Sequence, residues 1–494
     1  MLNNRYLAAG WLGVLLILPW LNPFSSGPSP AVLPWLVTLV CFALALPWIA
    51  RVRLAQVTAS AWLAAALLSS AAGLLQYFGA TAVFGQWVNS TGLGEAYANL
   101  RQRNQFATLT NIGLVALLWW SVQRPSRPAI PGDWRALIQV AAAALLAIGN
   151  AASSSRTGLM QLTMLLVLTG LWGGWRQPAV RRVLVAAAFF YGVASLTLPL
   201  LAGLDPLASG ILARLHDGGP SCASRLTLWA NVLHLIAQKP WLGWGWGELD
   251  YAHFITLYPG PRFCEILDNA HNLPLHLAVE LGVPVALGVC GGGLWLAWRA
   301  KPWRETDATR QLAWMVLAVI LLHSLLEYPL WYGPFQMAFG LSLWLLWRKA
   351  APFAGSCGVF RPLAPALVGV AATVLIAFSA YVAWDYHRIS QIYLPSEMRS
   401  EAYRNNTQQK IGDSRLFRDQ VQFAELTVTP LTRGNAAHIH ALAKSLLHFS
   451  PEPRVIEKVI ESAVLLKRDD EARFYLLRYR AAFPESHARW AEKK

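Results

Sequence analysis

The sequence predicts an all-α polytopic membrane protein, and its composition and the lengths of its apolar segments support this fold class. Hydrophobic residues make up 55% of the 494 residues and charged residues only 14%, whereas soluble domains carry about 25% charged residues. The mean hydropathy is +0.38. Apolar segments recur along the chain with about the 20 residues that a helix needs to cross a bilayer. The net charge of +15 does not indicate nucleic-acid binding, because Lys and Arg fall in short clusters between these segments.

Eleven apolar segments, taken in chain order, predict the transmembrane helices. Each is close to the length that spans a hydrocarbon core of about 30 Å. They cover residues 6–23, 31–50, 55–79, 104–122, 136–152, 157–175, 183–203, 273–298, 311–327, 329–347 and 362–386. The first segment lacks an A-x-A-like cleavage site, so we predict a retained helix. Residues 1–386 are therefore predicted to form a transmembrane domain, with a long loop at about 204–270.

The distribution of Lys and Arg between alternate loops predicts the orientation. One side carries Arg5; Arg51 and Arg53; Arg124, Arg127 and Arg135; Arg176, Arg181 and Arg182; Arg299, Lys301, Arg304 and Arg310; and Arg348, Lys349 and Arg361. Short loops on the other side contain only Arg101, Arg103 and Arg156. Because short cytoplasmic loops are enriched in basic residues, we predict a cytoplasmic N-terminus. Eleven crossings then place the long loop and the C-terminus on the opposite side.

Residues 387–494 are predicted to form a small helical domain. Amphipathic stretches cover 414–426, 436–448, 454–466 and 471–482, and Pro430, Pro451 and Pro484 separate or end them, as proline does at helix boundaries. Pairs of short helices are typical of tetratricopeptide-like domains, although no clean 34-residue period is present. An interaction role is expected for this region.

The cysteines predict no metal site, because none of the five is in a CxxC or Cys/His arrangement. Cys222 and Cys264 share the long loop. If this loop is extracytoplasmic, the two can form a disulfide, which is a bond of oxidising compartments. Cys41 and Cys290 lie in apolar segments and are expected to be inert.

Polar side chains collect at the predicted non-cytoplasmic ends of the helices. They are Arg101, Arg103, Asn104, Gln105, Ser153, Ser154, Ser155, Arg156, Arg225, His271, Asn272, His323, Glu327, Tyr328 and Tyr332. Since polar groups at membrane depth are costly, they are candidates for function. The set has no carboxylate cluster for a hard cation, so neither a metal nor another cofactor is predicted. Arginines bind phosphate oxygens bidentately, and a histidine can accept a proton from a hydroxyl. Together they suggest glycosyl transfer from a lipid diphosphate.

At these residues the chain resembles a known family. His271 and Asn272, followed by nine residues and Gly282, match the "HN, nine residues, G" pattern of the O-antigen ligase superfamily, which includes PglL-type bacterial protein O-oligosaccharyltransferases. Further similar segments are 101–109, 154–158, 323–332 and, in the long loop, 224–229 and 240–245. The resemblance runs from about residue 70 to 350 with its motifs in order.

The resemblance implies a bacterial inner-membrane glycosyltransferase whose active site opens to the periplasm and whose donor is an undecaprenyl-diphosphate glycan. It implies His271 as catalytic base or acceptor-orienting group, with Arg225 and Arg156 on the diphosphate. Further substrate-binding candidates are Arg101, Arg103, Asn104, Asn272, Glu327, Tyr328 and Tyr332. The segments 101–105 and 323–332 look more like the protein-glycosylating branch, which implies a Ser or Thr hydroxyl on a pilin or other periplasmic protein as acceptor.

Alternatives stay open at this point. Lipid A-core ligation and O-antigen polymerisation use similar donors, and a lipid-linked sugar flippase would need the arginines but not His271. A histidine beside a helix can merely cap it, and interfacial arginines can snorkel to headgroups. His276 and His323 are expected to pack or to support the site. Trp241, Trp244 and Trp246 are either interfacial residues or stacking partners for sugars.

Overall fold

A computed structural model describes residues 2–123, 134–216, 221–350 and 365–493, and all regular secondary structure in these ranges is helical. The α-helices are α1 (Leu2–Leu21), α2 (Val32–Ile49), α3 (Leu54–Tyr77), α4 (Arg103–Gln123), α5 (Trp134–Ala152), α6 (Arg156–Leu171), α7 (Pro178–Leu201), α8 (Gly210–His216), α9 (Arg225–Gln238), α10 (Leu249–Ile255), α11 (Leu273–Leu281), α12 (Val283–Ala286), α13 (Gly292–Ala300), α14 (Ala308–Ser324), α15 (Gly333–Ala350), α16 (Pro365–Ser390), α17 (Thr407–Ile411), α18 (Arg418–Val428), α19 (Ala436–Leu446), α20 (Pro453–Leu465), α21 (Asp469–Ala482) and α22 (Pro484–Ala491). Arg124, Arg127, Cys357 and Arg361 lie outside the described residues.

The predicted fold class, an all-helical polytopic membrane protein, is confirmed. Within the described residues, seven helices are long and apolar enough to cross a membrane. These are Val32–Ile49, Leu54–Tyr77, Arg103–Gln123, Trp134–Ala152, Pro178–Leu201, Val283–Arg304 and Pro365–Tyr393. Shorter apolar helices cover Tyr6–Leu21, Arg156–Leu171 and Ala308–Ser324. The orientation of the termini stays a prediction.

The predicted helix over 273–298 is wrong in one respect. The chain forms the separate helix α11 and then breaks at Gly282, where φ is +90°. The spanning stretch begins only at Val283 and includes a π-helical turn over Leu287–Gly291. Hydropathy could not detect this break, because Gly282 lies between apolar residues on both sides. Of the 18 most apolar consecutive residues of Val283–Arg304, only 6% are buried inside the protein, as expected for a helix surrounded by lipid.

Contacts divide the chain into two compact units. Unit 1 comprises Met1–Asp217 and Ala297–Ala380. Unit 2 comprises Gly218–Leu296 and Tyr381–Lys494. Within unit 2, part of the predicted long loop therefore packs with the C-terminal helices. The boundary predicted at residue 386 remains a prediction.

Unit 1 is organised around α4. Of the 18 most apolar consecutive residues of this helix, 89% are buried. Small residues let the neighbouring helices approach closely, as is common in membrane bundles. A Cβ atom added to Gly113 of α4 would lie 2.3 Å from the Cβ of Ala66 in α3. One added to Gly158 of α6 would lie 2.6 Å from the Cβ of Ala107. The start of α6, where Arg156 lies, is therefore packed tightly against α4.

Unit 2 has its own apolar core. The helices α19, α20 and α21 contribute buried residues such as Ile439, Val459 and Tyr479. The short helix α10 from the long loop inserts Phe254 into the same core. Arg478 Nε donates a hydrogen bond to the carbonyl oxygen of Ile255 at 2.7 Å. The C-terminal helices therefore hold one end of the loop.

Candidate active site

Arg156 and Arg225 each begin a helix that a serine caps. The Ser155 hydroxyl accepts a hydrogen bond from the Gly158 N–H at 2.9 Å, so Arg156 is the first residue of α6. The Ser224 hydroxyl accepts from the Thr227 N–H at 3.1 Å, so Arg225 is the first residue of α9. Helix N-termini favour anions through free N–H groups and the helix dipole. Each Ser-Arg pair therefore places a guanidinium where an anion is already favoured.

Hydrogen bonds join the Arg156 segment to other predicted site residues of unit 1. The Ser155 hydroxyl donates to Asn104 Oδ1 at 2.6 Å. Asn104 Nδ2 donates to Glu327 Oε1 at 3.3 Å, and Gln102 Nε2 donates to Glu327 Oε2 at 3.3 Å. Glu327 is only 7% exposed. Asn104 thus links the Ser155 segment to the Glu327 carboxylate, so that hydrogen bonds connect three distant segments of the sequence.

Arg214 of α8 belongs to the same cluster and was missed by the sequence analysis. Its Nη1 donates to the carbonyl oxygen of Ser154 at 3.2 Å. Burial lowers the pKa of Arg214, the positive charges of Arg103 and Arg156 lower it further, and the Glu327 carboxylate opposes them. Arg214 lies in the segment predicted as a long loop, where basic residues are weak signals of orientation or function. Its position in the last turn of a seven-residue helix gave no periodicity to detect.

The other predicted cations have partners of their own. Arg101 donates to the carbonyl oxygens of Pro23 at 2.5 Å and Ser25 at 3.3 Å, and to Asn89 Oδ1 at 3.2 Å. Arg103 forms an ion pair with Glu95. Arg156 is instead exposed, and no hydrogen bond or ion pair engages its side chain within the part of the chain that the structure describes. Arg156 is therefore the member of this group best placed to meet a ligand.

Two tyrosines and a histidine complete the predicted residues of unit 1. The rings of Tyr328 and Tyr332 stack with centroids 6.1 Å apart. His323 is fully buried, and its Nδ1 lies 2.9 Å from the Thr108 hydroxyl. Gln161 also donates to that hydroxyl at 2.9 Å. His323 therefore packs in a buried polar network, as the sequence suggested.

In unit 2, His271 occupies an unusual backbone conformation. Its φ is +49°, in the left-handed region that residues other than glycine rarely adopt. The His271 N–H donates to Asn269 Oδ1 at 2.8 Å, and Asn272 Oδ1 accepts from the Leu275 N–H at 3.1 Å to cap α11. Such strained positions are often found at functional sites. Asn272 thus fixes the helix start directly after the candidate base.

The glycine of the "HN, nine residues, G" pattern has a structural explanation. A Cβ atom on Gly282 would lie 2.1 Å from the carbonyl oxygen of Trp241, and one on Gly243 would lie 2.3 Å from that of Glu280. Trp244 N–H donates to the Val279 carbonyl oxygen at 2.9 Å. The 240–245 segment therefore crosses the end of α11 at a distance that only glycine permits. Two motifs far apart in the sequence form one packing unit.

His276 and Glu280 follow His271 along α11. His276 Nε2 lies 3.5 Å from Glu280 Oε2, and both side chains are almost completely buried. Burial, and then the charge of His271, lower the pKa of His276 to about 4. Burial, opposed by hydrogen bonds from Gly247 and Leu249, raises the pKa of Glu280 to about 7. Near neutral pH the pair therefore carries little positive charge.

A disulfide and an asparagine hold the segment before His271 against α9. Cys222 and Cys264 form a disulfide with a Cα–Cα distance of 5.4 Å. Asn231 of α9 accepts from the Phe263 N–H at 2.8 Å and donates to the Pro261 carbonyl oxygen at 2.9 Å. The disulfide holds the chain directly before α9, where Arg225 lies, and Asn231 holds the middle of the helix.

The three loop tryptophans differ in their surroundings. Trp244 Nε1 donates to the Leu235 carbonyl oxygen at 3.0 Å, and Lys239 Nζ lies 4.0 Å from the centre of its ring. Trp241 is 76% exposed and Trp246 is 62% exposed. Only these two rings expose enough surface to stack on a ligand, whereas Trp244 stabilises the loop.

Comparison with known protein families finds three matching models. Residues 141–290 match the O-antigen ligase model, and residues 96–120 match the model described as protein glycosylation ligase. Residues 311–494 match the C-terminal model of the virulence factor membrane-bound polymerase family. Arg156, Arg225 and His271 fall within the first match, and Arg101, Arg103 and Asn104 within the second.

Curated relatives have consistent names. The chain is 24% identical over 322 residues to a general O-oligosaccharyltransferase of Acinetobacter baylyi, covering 63% of this chain and 54% of the relative. It is 29% identical over 291 residues to an O-antigen ligase of Pseudomonas aeruginosa, covering 58% and 60%. A ComP-specific O-oligosaccharyltransferase of A. baylyi is 25% identical over 251 residues, covering 50% and 43%.

These matches confirm the resemblance to the O-antigen ligase superfamily and to its protein-glycosylating branch. The chain spans roughly half the length of the curated relatives it matches. The relatives are named as O-oligosaccharyltransferases and as an O-antigen ligase, and these names support glycan transfer as the activity of the family.

Proposed function

We propose that this chain, a multi-pass membrane protein similar to the O-antigen ligases, transfers a preassembled oligosaccharide from undecaprenyl diphosphate to a Ser or Thr hydroxyl of a periplasmic protein such as a pilin. The observation that carries the proposal is the repeated Ser-Arg unit. Ser155 with Arg156, and Ser224 with Arg225, each combine a capped helix N-terminus with a guanidinium. A diphosphate, with its several anionic oxygens, suits such groups.

The chemistry assigned to these residues is a substitution at the anomeric carbon of the donor sugar. The acceptor oxygen forms a bond to this carbon, the bond from the carbon to the diphosphate oxygen breaks, and the lipid diphosphate leaves. His271 accepts the proton of the acceptor hydroxyl. Arg156 and Arg225 stabilise the negative charge that grows on the diphosphate, as preorganised charges do in other transferases. We propose that no metal ion is needed for this step.

The protein acceptor is favoured over a lipid acceptor by the match of residues 96–120 to the protein glycosylation ligase model. Two of the three relatives carry O-oligosaccharyltransferase names. Lipid A-core ligation remains the second candidate because the third relative is an O-antigen ligase. Polymerisation of O-antigen or lipid-linked sugar flipping would instead leave every glycan on the lipid carrier.

The proposed location is the bacterial inner membrane, with a cytoplasmic N-terminus and with the active site and C-terminus in the periplasm. The disulfide between Cys222 and Cys264 supports this location for the loop, because disulfides persist in oxidising compartments such as the periplasm. The basic residues between predicted helices support it from the other side of the membrane.

The test is glycosylation in a cell that contains this protein, a lipid-linked oligosaccharide pathway and a pilin acceptor. We expect a sugar mass on the intact pilin with the wild type and none with His271→Ala, because no other group is assigned to take the proton. Donor binding should survive in that variant. His216→Ala, which changes an exposed histidine of α8, is the matched control and should retain transfer.

Other outcomes would redirect the assignment. Label on lipid A-core with an unmodified pilin would replace protein glycosylation by ligation, and a ladder of longer lipid-linked glycans would indicate polymerisation. Full transfer to the pilin by His271→Ala would contradict the role of His271 as the base. A lipid-linked glycan that crosses the membrane equally with the wild type and with His271→Ala, while the pilin stays unmodified, would indicate the flippase. Inhibition of the purified protein by a chelator would contradict the metal-free step.

A further inference from the structure

Unit 1 contains a cavity of about 240 Å³ at the end of α1 and the beginnings of α2, α4 and α15. Much of its wall is apolar and rigid, since Pro19, Pro34 and Pro334 line it together with the ring of Tyr332. Gln105 of α4 also lines it.

Gln105 is the unusual member of the wall. Its side chain is 1% exposed, and its Nε2 has no hydrogen-bond partner among the described residues. A buried amide without a partner is destabilising and calls for an explanation. A ligand that offers an acceptor oxygen to Nε2 would provide one.

The other polar side chains of the wall already have partners. Asn99 Nδ2 donates to the Leu21 carbonyl oxygen at 2.8 Å. Gln102 Nε2 donates to Glu327, Arg101 Nη2 donates to Pro23, and the Ser25 hydroxyl donates to the Pro30 carbonyl oxygen at 2.8 Å. A sugar ring has several hydroxyls that each need a partner, and burying them unpaired is costly. The cavity therefore suits a ligand with one acceptor oxygen and an apolar surface.

We propose that this cavity binds an extended segment of the acceptor polypeptide, with Gln105 Nε2 donating a hydrogen bond to one of its backbone carbonyl oxygens. An extended chain presents isolated carbonyls between apolar side chains, which fits the proline and tyrosine wall. The part of the wall from Asn99 to Gln105 lies within the segment that matches the protein glycosylation ligase model. The inference rests on the proposed function, because it requires a protein acceptor.

The first test uses purified protein, a fixed concentration of lipid-linked oligosaccharide and increasing concentrations of the pilin. Gln105→Met keeps the volume of the side chain but removes the donor. We expect the KM for pilin to rise roughly 3- to 10-fold, the worth of one neutral hydrogen bond, with the KM for the donor unchanged. The melting temperature should rise at the same time, because an unpartnered buried amide has been removed.

A second variant tests the cavity independently, in case Gln105→Met fails to fold. Ala31 lines the cavity and is exposed, so Ala31→Leu narrows the cavity without disturbing a core. It should also raise the KM for pilin, whereas Ala80→Leu, which changes an exposed alanine outside the cavity wall, should not.

An unchanged KM for pilin in both cavity variants would overturn the inference. A raised KM for the donor instead would assign the cavity to the glycan, and absence of transfer by the wild type would overturn the proposed function itself.

Discussion

Arg156 and Arg225 begin their helices in the same way, yet their surroundings are held by different means. Around Arg156, packing of small residues between α4 and α6 and the bonds from Ser155 to Asn104 and on to Glu327 fix the helix start. Around Arg225, the disulfide at Cys222 holds the helix start, and the bonds of Asn231 hold the middle of the helix. The membrane bundle uses close contacts between small residues, whereas α9 adds a covalent and a hydrogen-bonded constraint to an apolar core that it shares with α10 and α11. The same local Ser-Arg unit is thus held in two different ways.

Removal of the disulfide should produce the largest effect, and only on the Arg225 side. Cys222→Ser with Cys264→Ser opens a link between residues separated by 42 positions in the sequence, for which chain entropy predicts a loss of roughly 4 kcal/mol. Hydrogen exchange should increase in α9 and remain unchanged in α6. Cys290→Ser removes a free thiol and is the control. Equal increases in both helices would mean that the two supports are not independent.

Alanine at either arginine should reduce transfer by a similar factor, since both guanidiniums are proposed to stabilise the same leaving group. We expect Arg156→Ala and Arg225→Ala each to lower kcat/KM by about 100-fold or more, the usual effect of removing one preorganised charge or donor. Lysine at either position should restore part of the rate, because it keeps the charge but not the bidentate geometry.

Donor binding and a matched control complete the arginine experiment. Binding of the lipid-linked oligosaccharide should also weaken in Arg225→Ala, and equal binding would contradict the role proposed for Arg225. Arg181→Ala changes an exposed arginine of α7 and should stay within about twofold of the wild type, as surface substitutions do.

Much of the fold was predictable because membrane helices give a strong and simple signal in the sequence. The segments around α1 to α7 were located within a few residues, since about 20 apolar residues in sequence are rare outside membranes. The break at Gly282 was not predictable from hydropathy. It depends on the approach of the Trp241 carbonyl, which is a contact between residues far apart in the sequence.

The site was predictable only in part. The Ser-Arg and His-Asn motifs are local and therefore visible in the sequence. Arg214 was missed because its bond to the Ser154 carbonyl joins residues 60 positions apart. The chain gives no pattern that reports such a contact. Gln105 was noticed as a polar residue at a helix end, but its lack of a partner depends on its neighbours in the fold.

The smallest effect is expected from the pair His276 and Glu280 in unit 2, because their contributions to the pH dependence of stability oppose each other. The pKa of Glu280 is raised from 4.5 to about 7, so the folded state loses stability as the pH rises through this range. The pKa of His276 is lowered from 6.5 to about 4, so the folded state gains stability as the pH rises from about 4 to 6.5. Between pH 4.5 and 6.5 the two slopes should cancel.

Single substitutions should reveal separately how each residue contributes to the pH dependence of stability. Relative to the wild type, Glu280→Gln should make stability increase with pH between 4.5 and 6.5, and His276→Ala should make it decrease, each by up to about 1.4 kcal/mol per pH unit. Because each variant is compared with the wild type, the perturbed groups Asp250 and His253 cancel. The measurement is unfolding monitored by hydrogen exchange in α11 across this range. Slopes of the same sign in both variants would contradict the opposed pair, whereas opposite slopes would show that the two contributions cancel in α11, which begins after His271 and Asn272, between pH 4.5 and 6.5.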